Sequence, residues 1–191
     1  MGAVRWRGWC GRAGGGGYGE RGGEPHCGAL ADRCAVVAMT GTAMQLPDEV
    51  HAEITDLCQE GDALAGMGEF DEARLRYIEA LRLLPGDPRG WAASTWIYVA
   101  IGDVHFRRGV HDKAYKCFHN AVQCPDGLGN PYIHLRLGQT AFELGDHDRA
   151  ADELIRAHMG GGPEIFEEDD PRYLKFLRAR ADLNHSGSAG S

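Results

Sequence analysis

The stretch that decides the fold reads GDALAGMGEFDEARLRYIEA and spans residues 61–80. Two later stretches, GDVHFRRGVHDKAYKCFHNA at 102–121 and GQTAFELGDHDRAADELIRA at 138–157, share its pattern. In all three, a Gly is followed by a second Gly at +7, Ala at +12, a large apolar residue at +16 and Ala at +19. One such match would be weak evidence, but three copies in phase indicate an internal repeat.

The spacing within each copy predicts two helices that pack closely against each other. Small residues such as Gly61 and Ala80 let the two helix backbones approach. A large residue then fills the space beside them, and this residue is Tyr77, Phe118 and Leu154 in the three copies.

Helix start and stop signals set the bounds of the elements. Asp87-Pro88, Asn130-Pro131 and Asp170-Pro171 each combine an N-cap residue with a proline at the first helical position. No segment alternates long enough to predict a strand. We expect helices at 48–66, 70–84, 88–108, 111–124, 131–144, 147–159 and 171–183, with a short helical turn within 164–168.

The repeated pattern resembles the tetratricopeptide repeat (TPR), a pair of antiparallel helices of about 34 residues. The resemblance implies an all-α TPR α-solenoid of three helix-turn-helix repeats, at about 54–87, 95–128 and 131–164. The helix at 171–183 is expected to pack on the last repeat as a cap, because terminal repeats need a polar outer face. Its apolar residues are Tyr173, Leu174, Phe176 and Leu177.

The first joint between repeats departs from the usual spacing. The first Gly of the pattern recurs after 41 residues and then after 36, at Gly61, Gly102 and Gly138. The seven extra residues, 88–94, equal about two helical turns. The first helix of repeat two is therefore predicted to lengthen at its start and to project beyond its neighbours.

The domain organisation follows from composition. Residues 1–43 are rich in Gly and Arg, lack amphipathic periodicity, and are predicted to be a disordered tract. An alternative is that Met44, which precedes a well-formed helix start, begins the natural chain and that 1–43 is not native. The TPR domain is expected to span 44–184, and 185–191 to form a flexible tail.

Charge and hydropathy restrict the function classes. The chain carries a net charge of −8, and residues 1–43 carry +2 of net charge, so the remainder is strongly acidic. An acidic domain repels a phosphate backbone, which disfavours nucleic-acid binding. We expect no membrane span, no export signal and a cytoplasmic location. The six cysteines form no CxxC pair and are predicted to be reduced, small apolar residues.

In the TPR family, residues at repeat positions 2, 5, 9, 12 and 13 of the first helix line a concave groove. The resemblance therefore implies an aromatic groove that binds a partner protein or peptide. In repeats two and three the implied groove residues are Trp96, Val99, Asp103, Phe106, Arg107, Tyr132, Leu135, Gln139, Phe142 and Glu143, with Arg136 beside them; in repeat one they are Thr55, Cys58, Asp62, Ala65 and Gly66. An alternative is that some of the aromatic residues pack against the projecting helix or the cap.

A chaperone-binding subset of the family grips a C-terminal carboxylate with Lys and Asn side chains. The corresponding positions here hold Cys58, Asp62, Ala100 and Tyr132, and only Arg136 nearby is basic. One cation beside an Asp cannot clamp two carboxylates. We therefore do not expect a chaperone-tail adaptor.

Catalytic and metal-binding motifs find no support, so we expect no enzyme activity, no cofactor and no metal. His111 and His147 occupy the same turn position in successive repeats, and they recur because the repeat does. There is no phosphate-binding GxxxxGK[ST] loop and no independent Ser/His/Asp or Cys/His set. The acidic run 167–170 is expected to serve the start of the next helix, with a cation site as the alternative.

Residues 130–139, 160–166 and 170–173 resemble a group of short, free-standing bacterial TPR proteins. Three functions stay open on this basis. The first is a general protein-interaction module, the second is an inhibitor or immunity protein for a basic bacterial toxin, and the third is a secretion chaperone. The sequence leaves the partner and the oligomeric state undetermined.

Overall fold

The computed structural model describes residues 46–180, in which helices follow one another and no strand occurs. The predictions for residues 1–43 and 185–191, and for the last residues of the capping helix, concern residues outside this part of the chain. The helices are α1 (Asp48–Met67), α2 (Phe70–Arg82), α3 (Ala92–Arg107), α4 (His111–Val122), α5 (Pro131–Glu143), α6 (His147–Gly161) and α7 (Pro171–Arg180). Two 3₁₀ turns, Pro88–Gly90 and Pro163–Phe166, interrupt the series.

Each repeat is a pair of helices, and a glycine on the first helix lets a large side chain of the second pack directly against its backbone. A methyl group added to Gly61 would lie 2.5 Å from the ring of Tyr77, and one added to Gly102 would lie 2.6 Å from the ring of Phe118. Such distances are far inside van der Waals contact, so only glycine fits where the two helices meet. The predicted packing of small against large residues is confirmed, and it pairs α1 with α2, α3 with α4, and α5 with α6.

The helix starts predicted at Asn130-Pro131 and Asp170-Pro171 are also confirmed. The side chain of Asn130 accepts a hydrogen bond from the backbone N–H of Tyr132 at 3.0 Å, and Asp170 accepts one from Arg172 at 2.9 Å. These bonds satisfy donors that the first turn of a helix leaves without a partner. At the other end, Gly68 adopts a φ of +88°, a left-handed conformation that closes α1.

The prediction of one continuous helix over 88–108 is wrong. Pro88–Gly90 forms a 3₁₀ turn, Trp91 is extended, and α3 begins only at Ala92. The indole of Trp91 is buried, and its Nε1–H donates to the carbonyl of Pro85 at 2.8 Å. Burying this ring favours the turn over two further turns of exposed helix, since truncating a buried Trp costs roughly 3–5 kcal/mol. Helix α3 therefore does not project by two turns.

The segment after α6 closes the end of the repeat array. Phe166, Tyr173 and Leu177 are buried and form one apolar cluster with Leu135 of α5 and Leu154 of α6. The helical turn expected within 164–168 is present as Pro163–Phe166. The predicted capping helix is confirmed as α7. In the described part of the chain, no helix is both long enough and apolar enough to cross a membrane.

Candidate partner-binding face

The predicted groove residues lie on α1, α3 and α5, and we call this set of side chains the inner face. Its members differ sharply in exposure. Arg107 is exposed, and Trp96, Asp103, Phe106, Tyr132, Phe142 and Glu143 are half-buried. Val99, Leu135, Arg136 and Gln139 are buried, so these four are core residues here and do not line an open groove.

Arg136 of α5 is the centre of a polar network at the joint between repeats two and three. Its Nε lies 2.9 Å from Oδ1 of Asp103, and its Nη1 donates to Oε1 of Gln139 at 2.7 Å. Nη1 also donates to Oδ1 of Asp169 at 3.0 Å. The hydroxyl of Tyr132 donates to Asp103 at 2.9 Å. A buried guanidinium requires such partners, because removing a charge from water is costly unless it is paired.

Two aromatic rings complete the surroundings of this guanidinium. The Cζ atom of Arg136 lies 5.0 Å from the ring centre of Tyr132 and 5.4 Å from that of Phe106. A planar cation gains further stabilisation from the faces of aromatic rings. Burial opposes the charge on Arg136, but the neighbouring Asp103 carboxylate raises the pKa of the guanidinium above its ordinary value. The joint therefore holds Arg136 as a cation.

The C-terminal segment covers the inner face of repeat three. Asp169 reaches Arg136, and the ring of Phe142 contacts the rings of Tyr173 and Phe176 with centres 5.5 and 5.0 Å apart. The hydroxyl of Tyr173 donates to Glu143 at 2.6 Å. The alternative that some groove aromatics pack against the cap is thus what the structure shows for Phe142.

The inner face of repeats one and two is less covered. Asp62 of α1 is exposed, and its Oδ1 accepts a hydrogen bond from the Tyr77 hydroxyl at 2.6 Å. Arg107 stretches back across the joint, where its Nη1 donates to the carbonyl of Ala65 at 3.1 Å and its guanidinium lies 4.8 Å from the ring centre of Phe70. This half of the face combines an accessible carboxylate, an accessible guanidinium and the half-buried ring of Trp96.

Partial burial raises the pKa values of two titratable groups in this half of the inner face. Although the Asp62 side chain is exposed as a whole, the surrounding protein shields its carboxyl group from part of the water. This partial burial raises the pKa of the carboxyl, and the hydrogen bond from Tyr77 only partly offsets the rise. Burial also raises the pKa of Tyr77, with the nearby charges of Asp62 and Asp103 acting in the same direction. The Tyr77 hydroxyl therefore keeps its proton, with Asp62 as its hydrogen-bond acceptor.

Sequence reasoning missed the role of Asp169. The sequence predicts that the acidic run 167–170 serves the start of the next helix. Asp170 does cap α7, whereas Asp169 accepts a hydrogen bond from Arg136. The signal for this was Arg136 itself, because a cation on a stripe of buried side chains needs a counterion.

Two of the histidines pack against aromatic side chains of the inner face. His111 packs against Phe106, and His147 against Phe142, each with ring centres 5.4 Å apart, which matches their equivalent positions in the repeat. Among residues 46–180, no group of three or more His, Cys, Asp or Glu side chains could hold a metal ion. Burial raises the pKa of Cys117 and of Cys124 to about 11, which keeps both thiols protonated at neutral pH.

Comparison with known proteins identifies solved structures with a similar fold. No protein-family model and no curated protein matches the sequence. The first TPR of Spaghetti (RPAP3), solved bound to the HSP90 peptide SRMEEVD, is similar at a TM-score of 0.52 and 18% identity, over 67% of this chain and 90% of that chain. The chain therefore has the fold of a TPR α-solenoid.

Two bacterial structures show the same likeness. The Yersinia enterocolitica type III secretion chaperone SycD, in complex with a peptide of the translocator YopD, is similar at a TM-score of 0.53 and 16% identity, over 66% of this chain and 90% of that chain. PcrH from Pseudomonas aeruginosa is similar at a TM-score of 0.54 and 15% identity, over 72% of this chain and 96% of that chain. At these identities the likeness concerns the fold alone.

Proposed function

We propose that this chain is a protein-interaction module that binds a segment of a partner protein on the inner face of repeats one and two. The observation that carries the proposal is the unequal covering of the inner face. In repeat three, the chain's own C-terminal segment occupies it through Asp169, Tyr173 and Phe176. In repeats one and two, Asp62 and Arg107 remain exposed.

The chemistry of the accessible half suits recognition of a peptide. It joins an aromatic ring, Trp96, with one carboxylate and one guanidinium, and aromatic and Arg side chains dominate the binding energy of protein interfaces. Two of the similar solved structures, those of Spaghetti and SycD, hold a peptide. A peptide or an unfolded segment is thus the ligand class that this proposal names.

Secretion chaperoning is a narrower role within the same proposal. Its support is that SycD, described as a type III secretion chaperone, and PcrH share nearly their whole length with this fold. A chaperone of this kind would bind a segment of a protein to be secreted. Capture of such a protein, rather than of a stable cellular enzyme or receptor, would favour the narrower role.

Affinity capture with point variants tests the proposal. The full chain is used as bait in a lysate of its source organism, and captured proteins are identified by mass spectrometry. The Trp96→Ala variant should lose the partner that the wild type retains. The control is Tyr115→Ala, which truncates another half-buried aromatic side chain on α4, outside the inner face. Equal capture by both variants, with helical circular dichroism unchanged, would place the binding surface elsewhere.

A further inference from the structure

Two consecutive repeats carry a carboxylate at the same position of the inner face. Asp62 follows Gly61, and Asp103 follows Gly102, so both stand at the ninth position of their repeats. Each lies on the first helix of its repeat. Asp62 accepts a hydrogen bond from the hydroxyl of Tyr77, and Asp103 contacts Arg136 and Tyr132 of the next repeat. The two joints can therefore be compared residue by residue.

The second joint shows how this site holds a guanidinium. Asp103 binds Arg136, which comes from the sixth position of the next repeat, at 2.9 Å. Tyr132, from the second position of that repeat, donates to Asp103 and presents its ring to the guanidinium. The chain thus contains its own example of an arginine bound between a carboxylate and an aromatic ring.

The first joint has the same frame but carries no cation at the position equivalent to Arg136. The arginine that crosses it, Arg107, instead donates to the carbonyl of Ala65 and lies over the ring of Phe70. The residue equivalent to Arg136 is Ala100, and the residue equivalent to Tyr132 is Trp96, which again offers an aromatic ring. Within residues 46–180, Asp62 makes no ion pair, and its one hydrogen bond comes from Tyr77. Burial raises the pKa of both carboxyl groups. At Asp103 the charges of Arg136 and Arg107 oppose the rise, whereas at Asp62 only the hydrogen bond from Tyr77 opposes it.

The charges around this joint favour the binding of a basic segment. Helix α1 carries six acidic residues and neither Lys nor Arg. Among the described residues 46–180, only Glu60 of these six forms an ion pair, with Arg76 at 3.2 Å. A negative surface of this kind raises the rate at which a basic segment arrives. A guanidinium fits better than an ammonium, because it is planar, stacks on aromatic rings and sheds its weaker hydration more readily.

We propose that Asp62, Trp96 and Ala100 form a subsite for an arginine side chain of the partner, in the place that Arg136 fills at the next joint. This inference rests on the proposed function and names the chemistry of the segment that it binds. The occupant is a basic segment whose arginine forms an ion pair with Asp62 and lies against Trp96. The methyl group of Ala100 leaves room for that side chain.

A nuclear magnetic resonance titration tests the subsite with defined probes. The full chain is titrated with acetyl-Ala-Leu-Arg-Leu-Ala-amide, and with two peptides in which Gln or Glu replaces Arg. The arginine peptide should shift the indole N–H of Trp96 and the backbone amides around Asp62 and Ala100. The Gln and Glu peptides should bind at least tenfold more weakly.

Two sets of variants separate a binding role from a structural one. Asp62→Asn keeps an oxygen that accepts from Tyr77 but removes the charge, and it should weaken the arginine peptide at least tenfold. The control Asp56→Asn removes the same charge from the exposed side of α1 and should change affinity less than twofold.

The variant Ala100→Arg supplies a guanidinium from the chain itself. It should therefore raise the urea midpoint of unfolding above that of Ala100→Gln, and Asp62→Asn should abolish this difference.

The outcomes distinguish this inference from the function on which it rests. If the Gln peptide shifts the same inner-face residues with equal affinity, the arginine subsite is wrong and peptide binding on this face stands. If Asp62→Asn and Asp56→Asn weaken binding equally, general charge attraction replaces the subsite. If no peptide shifts the inner face and Ala100→Arg gains no stability from Asp62, the subsite is wrong, and the capture experiment with Trp96→Ala then decides the proposed function separately.

Discussion

The guanidinium of Arg136 lies 3.0 Å from the carboxylate of Asp169, a residue that follows the last repeat. The same guanidinium lies 2.9 Å from Asp103 of the preceding repeat. One buried side chain thus ties together repeat two, repeat three and the C-terminal segment. These contacts hold the C-terminal segment over the inner face of repeat three and leave the inner face of repeats one and two more accessible.

Replacing Asp169 by Asn should lower the free energy of unfolding by about 1–3 kcal/mol, because a hydrogen bond to a buried charge is weakened. Arg136 keeps Asp103, so the loss should stay below that of a fully orphaned cation. Urea unfolding followed by circular dichroism measures the change. Glu168→Gln, at an exposed neighbour, is the control and should alter stability by less than about 0.5 kcal/mol. Equal effects of the two substitutions would contradict the role given to Asp169.

Replacing Gly102 by Ala should destabilise the chain by about 1–3 kcal/mol, because its new methyl group would meet the ring of Phe118. Gly66 of α1 has open space around it, so Gly66→Ala should be neutral or stabilising by up to about 1 kcal/mol. Thermal or urea unfolding of the two variants gives the comparison. Similar stability of the two would show that the helix pair tolerates expansion at Gly102.

Trp91 is predicted to anchor the turn that joins repeats one and two. Trp91→Phe keeps a large ring but loses the bond to the Pro85 carbonyl, at a cost of about 1 kcal/mol or more. Trp91→Ala should cost roughly 3–5 kcal/mol. Unfolding in urea measures both losses. If the Ala variant were as stable as the wild type, the indole would not be what holds the 3₁₀ turn in place.

The raised pKa of Asp62 predicts a pH-dependent stability. A carboxyl whose folded pKa exceeds its unfolded value lowers stability as pH rises through the interval from the ordinary 3.8 to the raised value. Above that interval the whole penalty is present, so Asp62→Asn should raise the urea midpoint at pH 7 and have little effect near pH 3. Unfolding curves at the two pH values, with Asp56→Asn as control, test this. A lower midpoint at pH 7 would mean that the charge stabilises the fold.

Much of the fold could be predicted because the same spacing of small and large residues occurs three times in the sequence. Gly61, Gly102 and Gly138 recur with their large partners at fixed distance, and such periodicity depends only on helix geometry. The turn at 88–90 could not be predicted in this way, since the seven extra residues 88–94 are compatible both with a longer helix and with a turn. Burial of Trp91, a tertiary effect, decides between them.

The candidate site was predictable only in part. The repeat positions correctly located Trp96, Asp103 and Arg107 on the first helix of repeat two. They could not show that Leu135 and Gln139 would be buried, because this depends on how the segment after α6 folds back. The contact of Asp169 with Arg136 joins residues far apart in sequence, and no local pattern specifies such a pair.

Hydrogen–deuterium exchange of the full chain, with and without its captured partner, tests the central claim most directly. If the partner binds the inner face of repeats one and two, amide exchange should slow in α1 and α3 and stay unchanged in α4 and α6. Protection confined to α4, α6 or α7, with none in α1 and α3, would contradict the account.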